Sequence, residues 1–287
     1  MIDKRCLVAA VLLAAMMLTG CDAIQNYDEV NEPRYASSYA KSQPDDDGQI
    51  KAISWNVKFG QEIDAVVAEL TEVEELQGAD LILLQEMDEQ GVDTIAQALQ
   101  YNYVYFPASI HTRHDKNFGN AILSPWPISN PMKLALPFEN PRNRQIRIAV
   151  RAMVMVGDKE VLAYSVHTET PWLSHRKRLA QIESLVKKID DETDYVVVGG
   201  DFNTFTPKNI VDLEQRFELA GLERVSTGAG ATFESGGIEF TLDHIFAKGL
   251  SATDNGVWAE TQASDHFPLW VDMTFDEDPP NRVQAQE

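Results

Sequence analysis

The chain has 287 residues, 44 % of them hydrophobic, enough for one large domain or two small ones with a real core. Its 24 Lys plus Arg stand against 45 Asp plus Glu, a formal net charge of −21. Such a surface repels nucleic-acid backbones unless a local basic patch intervenes, so nonspecific DNA binding is disfavoured, whereas a metal site that handles a phosphate is not.

At the N-terminus, Lys4 and Arg5 precede an apolar run from Cys6 to Leu18. The run is too short to span a bilayer and suits the core of a signal peptide. It closes on Leu18-Thr19-Gly20-Cys21, which resembles the lipobox of bacterial lipoproteins, where the cysteine is lipidated and becomes the mature N-terminus. Residues 1–21 are expected to be that signal peptide and Cys21 the lipidation site. Asp22 resembles the signal for inner-membrane retention, so the expected location is the periplasmic face of that membrane, with the cell surface as the alternative. With Cys6 removed and Cys21 lipidated, the folded part keeps no disulfide, cysteine nucleophile or thiolate metal site. Residues 22–48 are polar and aperiodic and read as a flexible tether. Within them "DDDG" lacks the later Glu of a calcium loop and reads as a solvated turn.

From Ile50 strands and helices alternate. "KAISWNV" reads as a strand, and Ile63, Val66, Val67, Leu70 and Val73 form a helical stripe. "ADLILLQE" follows as a buried strand, and Val92, Ile95, Ala96 and Leu99 mark a second helix. "YVYFPAS" and "NAILS" read as strands. "IRIAVRAMVMV" places Ile146, Ile148, Val150, Val154 and Val156 on one face, with Arg147 and Arg151 on the other. "VLAYSVH" pairs with it across Gly157-Asp158. Leu179, Ile182, Val186 and Ile189 form a third helical stripe; "DYVVVGG", a helix near 208–220, "TLDHIFA" and "LWVDMTF" complete a domain over 49–275. Residues 276–287 read as a disordered acidic tail. Short strands, interspersed helices and clear hairpins favour packed sheets with helices outside.

Several strands end alike: at Asn56, Glu86, His167, Asp201 followed by Asn203, Asp243, and the pair Asp265-His266. One such ending is a turn signal; six point to strands converging on one pocket. A hard divalent cation takes oxygen ligands, usually carboxylates plus water and substrate phosphate. Phosphate-ester hydrolysis needs charge neutralised and a water activated, and an imidazole oriented by a carboxylate serves as base or phosphate donor. Asp201 and Asn203 point the same way in extended backbone. Gly199 and Gly200 are expected to let the chain turn and substrate approach.

"SWNV", "LLQE", "GNAILS", "GGDFNT", "TLDHIF" and "SDHFPL", in this order and with Arg178-Leu179-Ala180-Gln181 after "VHTE", resemble the endonuclease/exonuclease/phosphatase family, the relatives of pancreatic deoxyribonuclease. The resemblance covers about residues 50–275. It implies an α/β fold, a four-layer sandwich of two packed mixed β-sheets flanked by helices, and metal-dependent cleavage of phosphodiesters or phosphomonoesters. The implied metal is Mg2+, with Mn2+ or Ca2+ as alternatives, held by Glu86, Asn56 and Asp265. Asp201 resembles the acid that positions or activates water, and Asn203 the amide that holds water or phosphate. His167 resembles the phosphate-contacting His, and His266 the catalytic His with Asp243 as its orienting partner. Arg147 is either a phosphate contact or a solvated strand residue. Asn120, in "GNAILS", and Trp172, just after His167, are the further candidate substrate contacts.

Two departures count: Lys58 stands where some members carry an acid, which argues for one principal metal, and Pro125-Trp126 stands where many carry a basic residue. His244 is expected to be a strand neighbour of Asp243, and His111, His114 and His175 to be surface residues, although "HTRHDKNFG" suits a substrate-side loop. The expected protein is a monomeric, membrane-anchored phosphodiesterase acting on a phosphate-ester substrate, with a nuclease among the readings and nucleic acid as substrate allowed but not favoured by net charge. The alternatives are a phosphoesterase directed at phospholipid or sugar phosphate, and an inactive binding lipoprotein of the same fold.

Overall fold

The computed structural model describes residues 24–111, 114–189 and 193–277. In chain order the strands are β1 (Gln25–Asn26), β2 (Tyr35–Ser38), β3 (Gln49–Asn56), β4 (Leu81–Met87), β5 (Asn102–His111), β6 (Lys116–Ser124), β7 (Ile128–Ala135), β8 (Ile148–Val156), β9 (Lys159–His167), β10 (Tyr195–Asp201), β11 (Glu223–Arg224), β12 (Phe233–Ser235), β13 (Ile238–Phe240), β14 (Asp243–Lys248), β15 (Leu250–Val257) and β16 (Leu269–Phe275). The helices are α1 (Ile63–Glu72), α2 (Glu89–Leu99), α3 (His175–Val186) and α4 (Pro207–Glu218).

One sheet runs β1-β5-β6-β4-β3-β16-β15, with β2 also on β5; the other runs β11-β14-β10-β9-β8-β7; β12 and β13 form a small hairpin. Both sheets are mixed: β3 with β4 and β9 with β10 are parallel, and the other pairs are antiparallel.

The unbroken apolar runs of the central strands follow from burial on both faces. In β4, Leu81 and Leu83 pack between the sheets, while Ile82 and Leu84 pack outward among α1 and α2 residues such as Val66 and Val92. In β10, Val197 faces the inter-sheet core, while Val196 and Val198 pack outward with Ile182 of α3 and Leu213 of α4. The result is the expected four-layer α/β sandwich.

Gly199 and Gly200 lie inside β10 and do not turn the chain. A Cβ at Gly199 would sit 2.7 Å from Leu83 Cδ1 of the facing sheet, and one at Gly200 would collide with the backbone of Val166 in β9. These glycines serve close packing, not a turn or the approach of substrate.

The expected tether also differs from what the described residues show. Residues 25–26 and 35–38 add edge strands to β5, and the Lys133 ammonium donates to the carbonyls of Tyr27 (3.0 Å) and Glu32 (2.7 Å). A polar segment folds here because an existing sheet edge supplies its backbone partners. The signal peptide, Cys21 and Asp22 lie outside the described residues, as does the tail beyond Glu277.

Candidate active site

Strand register assembles the site. Asp201, the last residue of β10, pairs with His167, the last of β9, on one side and with Asp243, the first of β14, on the other. Three site residues thus stand in one row. In the opposing sheet Asn56 ends β3 beside Gln85 of β4. There β4 slips register between Leu84 and Met87, a bulge that holds Glu86 in the left-handed region at φ 59°. Bulges of this kind re-aim a side chain at sheet ends. Asn203 is likewise left-handed, at φ 52°. Such backbone persists only where the surroundings over-determine it, and it clusters at functional sites. The loop carrying Asp265 and His266 is tied to the end of β3: Trp55 Nε1 donates to His266 O (2.9 Å) and Ser264 Oγ to Asn56 O (2.7 Å).

The side chains converge on one oxygen. Asn56 Nδ2 donates to Asp201 Oδ2 at 3.2 Å, His167 Nε2 lies 3.4 Å from it and His266 Nε2 4.0 Å. Asp201 Oδ1 accepts from the Asn203 amide at 2.9 Å. His266 Nδ1 lies 2.8 Å from Asp243 Oδ2, so Nδ1 carries a proton and Nε2 faces Asp201. Arg147 Nη1 lies 3.3 Å from His167 Nδ1. A guanidinium can only donate, so the network assigns the proton of neutral His167 to Nε2, aimed at Asp201 and, at 3.9 Å, at Glu86 Oε1.

Burial then sets the charges. Desolvation is the largest influence on Glu86 and raises it above the usual carboxylate range, against the lowering effects of Arg147, His266 and the Asn56 hydrogen bond. Desolvation raises Asp201 to about 7; the His266 charge opposes this and Asp243 adds to it. Burial alone would depress His266, but Asp243, by charge and hydrogen bond, then Asp201 and Glu86, lift it to about 10. Burial, with Arg147 and His266 nearby, holds His167 well below its ordinary value.

The other expected residues fall variously. Asp265 sits at the rim, its Oδ2 3.5 Å from Lys58 Nζ, so a lysine charge stands where some sequences of this kind carry an acid. Arg147 is buried and not a solvated strand residue: besides meeting His167, its Nε lies 3.4 Å from Glu169 Oε2. Asn120 is no substrate contact through its amide nitrogen, which bridges the two sheets by donating to Ile148 O (3.1 Å) and Ser165 O (3.0 Å). Trp172 stands outside the cluster, 58 % exposed, under the Arg142 guanidinium. His244 is buried against Thr204 and Arg224. His111 and His114 pack tilted against Phe59, and Phe118, itself against Phe59, joins that group to the His167 ring at 5.8 Å.

The sequence reading missed Glu169 and Asn140. Glu169 is fully buried and also accepts from Asn140 Nδ2 at 2.9 Å. The one signal for it was its place two residues past a strand-end histidine.

Two mixed sheets that send carboxylates, amides and imidazoles from their strand ends into one crevice define a class of phosphoester hydrolase scaffold. Residues 53–266 match the family model described as Endonuclease/Exonuclease/phosphatase family, and the chain belongs to that family, whose members hydrolyse phosphate esters. Among solved structures, the endonuclease/exonuclease/phosphatase family protein from Leptotrichia buccalis C-1013-b is 18 % identical with a TM-score of 0.64, over 77 % of this chain and 98 % of that one. The endonuclease/exonuclease/phosphatase from Beutenbergia cavernae DSM 12333 is 18 % identical with a TM-score of 0.63, over 79 % and 72 %. At that identity the likeness is one of fold. Of curated proteins, UPF0294 protein VV2535 of Vibrio vulnificus (strain YJ016) is 35 % identical over 100 residues, 34 % of each chain. The chain thus matches about a third of the length of this relative.

Proposed function

We propose that the protein is a divalent-metal-dependent phosphodiesterase, carried on a bacterial membrane by lipid at Cys21. The observation that carries the reading is the convergence of Asn56, His167 and His266 on Asp201 Oδ2.

The donor set suits a hard cation: Glu86, Asn56 Oδ1 and Asp265 offer oxygen only; Asn56 Oδ1 accepts one bond, from Lys58 N at 3.1 Å, and keeps a second lone pair, and desolvation raises the Glu86 carboxylate in spite of Arg147 and His266. Asp201, Asp243 and His266 also lie close enough together to hold an ion; with Nδ1 on Asp243, His266 would offer that ion Nε2 and give up its role as proton donor, so the two uses of this group are alternatives. A cation on Glu86, Asn56 and Asp265 would neutralise phosphate charge and bind a water.

The chain's own groups supply the rest. Asp201, lifted to about 7, is poised near neutrality to take a proton from the attacking water. His266 holds a proton at Nε2 opposite Asp201 and offers it to the ester oxygen, with Asp243 fixing the ring. His167 donates from Nε2 to a phosphate oxygen, with Arg147 fixing its tautomer.

The test is hydrolysis of bis(p-nitrophenyl) phosphate with Mg2+, Mn2+ or Ca2+, with EDTA and with Glu86→Ala. Activity is expected only with metal and native Glu86. Activity that survives EDTA, or full activity in Glu86→Ala, would overturn the reading.

A further inference from the structure

We infer that the face built from residues 138–144 and 171–177 docks on an anionic lipid bilayer, with the active-site crevice behind it.

The first observation is chain length. Three peptide steps separate Cys21 from Ile24, at most about 11 Å, on a domain about 40–50 Å across. Ile24 is buried, and Gln25 and Asn26 pair with Ile110 and Ser109 of β5. Asn26 is clamped to the loop after β7: its Nδ2 donates to Arg144 O at 2.8 Å and its Oδ1 accepts from Ile146 N at 3.2 Å. A lipid on Cys21 therefore enters the membrane within about 18 Å of the Asn26–Arg144 contact, the reach of five residues of extended chain.

The second observation is what that neighbourhood displays. Trp172 is 58 % exposed and Phe138 43 % exposed. Arg142 Cζ lies 3.2 Å from the Trp172 ring centre and Lys177 Nζ 5.1 Å from that of Phe138. A surface depression of about 490 Å³ beside Phe138 is lined also by Glu139, Asn140, Pro141, Arg144, Leu173 and Lys177. Glu139 pairs with Arg144 and Glu183 with Arg216, whereas Arg142, Arg176 and Lys177 have no carboxylate partner among the described residues. On a chain of net charge −21, exposed aromatics interleaved with unneutralised cations form a local exception. Amphipathic rings settle at headgroup level and cations are drawn to anionic lipid, both within a Debye length of the surface.

The third observation is continuity with the site. Asn140, on this face, bonds Glu169, which meets Arg147, which meets His167. The docked face would hold the crevice at headgroup depth, where it meets phosphate esters presented by the membrane. Only that consequence rests on the hydrolase reading; the docking rests on the lipid at Cys21 proposed above.

The experiment uses the full, lipidated chain on vesicles of phosphatidylglycerol and phosphatidylcholine in equal parts, with brominated acyl chains as quencher. Trp55 and Trp126 are buried and Trp258 and Trp270 half-buried, so Trp172 is the tryptophan that reports on this face, and Trp172→Phe supplies the background. The expected result is quenching and a blue shift of Trp172 emission, both lost in the double variant Arg176→Glu, Lys177→Glu. Acids in the first turn of α3 suit the helix dipole, and that variant should keep its hydrolysis of a small soluble diester, which shows it folded. Vesicle-bound protein with unchanged Trp172 emission, or quenching unaffected by the double variant, would overturn the inference. So would absence of vesicle binding, or a Trp172 response to single-stranded oligonucleotide and not to vesicles. The readout is emission, so failure here leaves the hydrolysis test untouched.

Discussion

Asp201 gathers three side chains on one oxygen in a setting that water scarcely reaches, and this makes its protonation the pivot of the site. In the metal-free protein Asp201 moves from 3.8 to about 7 and His266 from 6.5 to about 10. Both folded values lie above the unfolded ones, so the folded state holds the extra protons and both contributions fade as pH rises. The Asp201 share fades between 3.8 and about 7 and the His266 share between 6.5 and about 10. In EDTA the thermal midpoint should therefore fall between about pH 6.5 and about pH 9; below 6.5 burial holds His167 and His244 under their ordinary values, so their shares grow with pH and oppose that of Asp201, and Asp201→Asn should steepen the rise there. Added Mg2+ should raise the midpoint more at the alkaline end, where the carboxylates no longer compete with protons for it; an equal rise at both ends would place the metal elsewhere. Asp243→Asn removes the charge that lifts and orients His266. It should lower kcat on the order of 10²-fold or more with KM little changed, as expected for a lost proton donor.

At the scale of elements, Gly199 and Gly200 show how tightly β10 is held between its neighbours. Gly199→Ala drives a methyl into Leu83 and should cost about 1–3 kcal/mol in urea unfolding. Gly200→Ala meets backbone, which cannot step aside, and should cost more. Pairing Gly199→Ala with Leu83→Ala should cost less than the sum of the two, because the smaller partner makes room; strict additivity would show that the two do not touch.

The same strand explains what was legible. The strands β3, β4, β9, β10 and β14 announced themselves as apolar runs because both their faces are covered, and their polar last residues marked the crevice. Edge strands did not: β15, which contains "SATDN", is largely exposed, and β1 and β2 are polar segments that fold only because β5 offers them partners. Arg147 was ambiguous for a related reason. Alternation put it opposite the aliphatic face of its run, but its burial depends on Glu169, which lies 22 residues away. The part Asn120 plays was hidden likewise, since its partners are carbonyls of the other sheet.

For the whole molecule, charge acts at two ranges. Near about 0.01 M salt the screening length is about 30 Å, comparable with the domain, and an approaching polyanion meets the full −21. Near about 0.1 M it is about 10 Å, and the polyanion meets only the surface it touches. On the face of residues 138–144 and 171–177 that surface carries Arg142, Arg176 and Lys177, and the sign is reversed there. Long inorganic polyphosphate, used to inhibit hydrolysis of a small diester, should therefore inhibit more strongly as salt rises between those two values. This is opposite to the counterion-release behaviour of a basic protein, whose affinity for polyanions falls steadily with salt. In Arg176→Glu, Lys177→Glu the rise should shrink or vanish, because removing the distant repulsion then uncovers no local attraction. Inhibition that weakens steadily with salt in the native chain would mean that this face dominates even at long range, and that the acidic remainder of the surface plays no part in choosing what reaches the site.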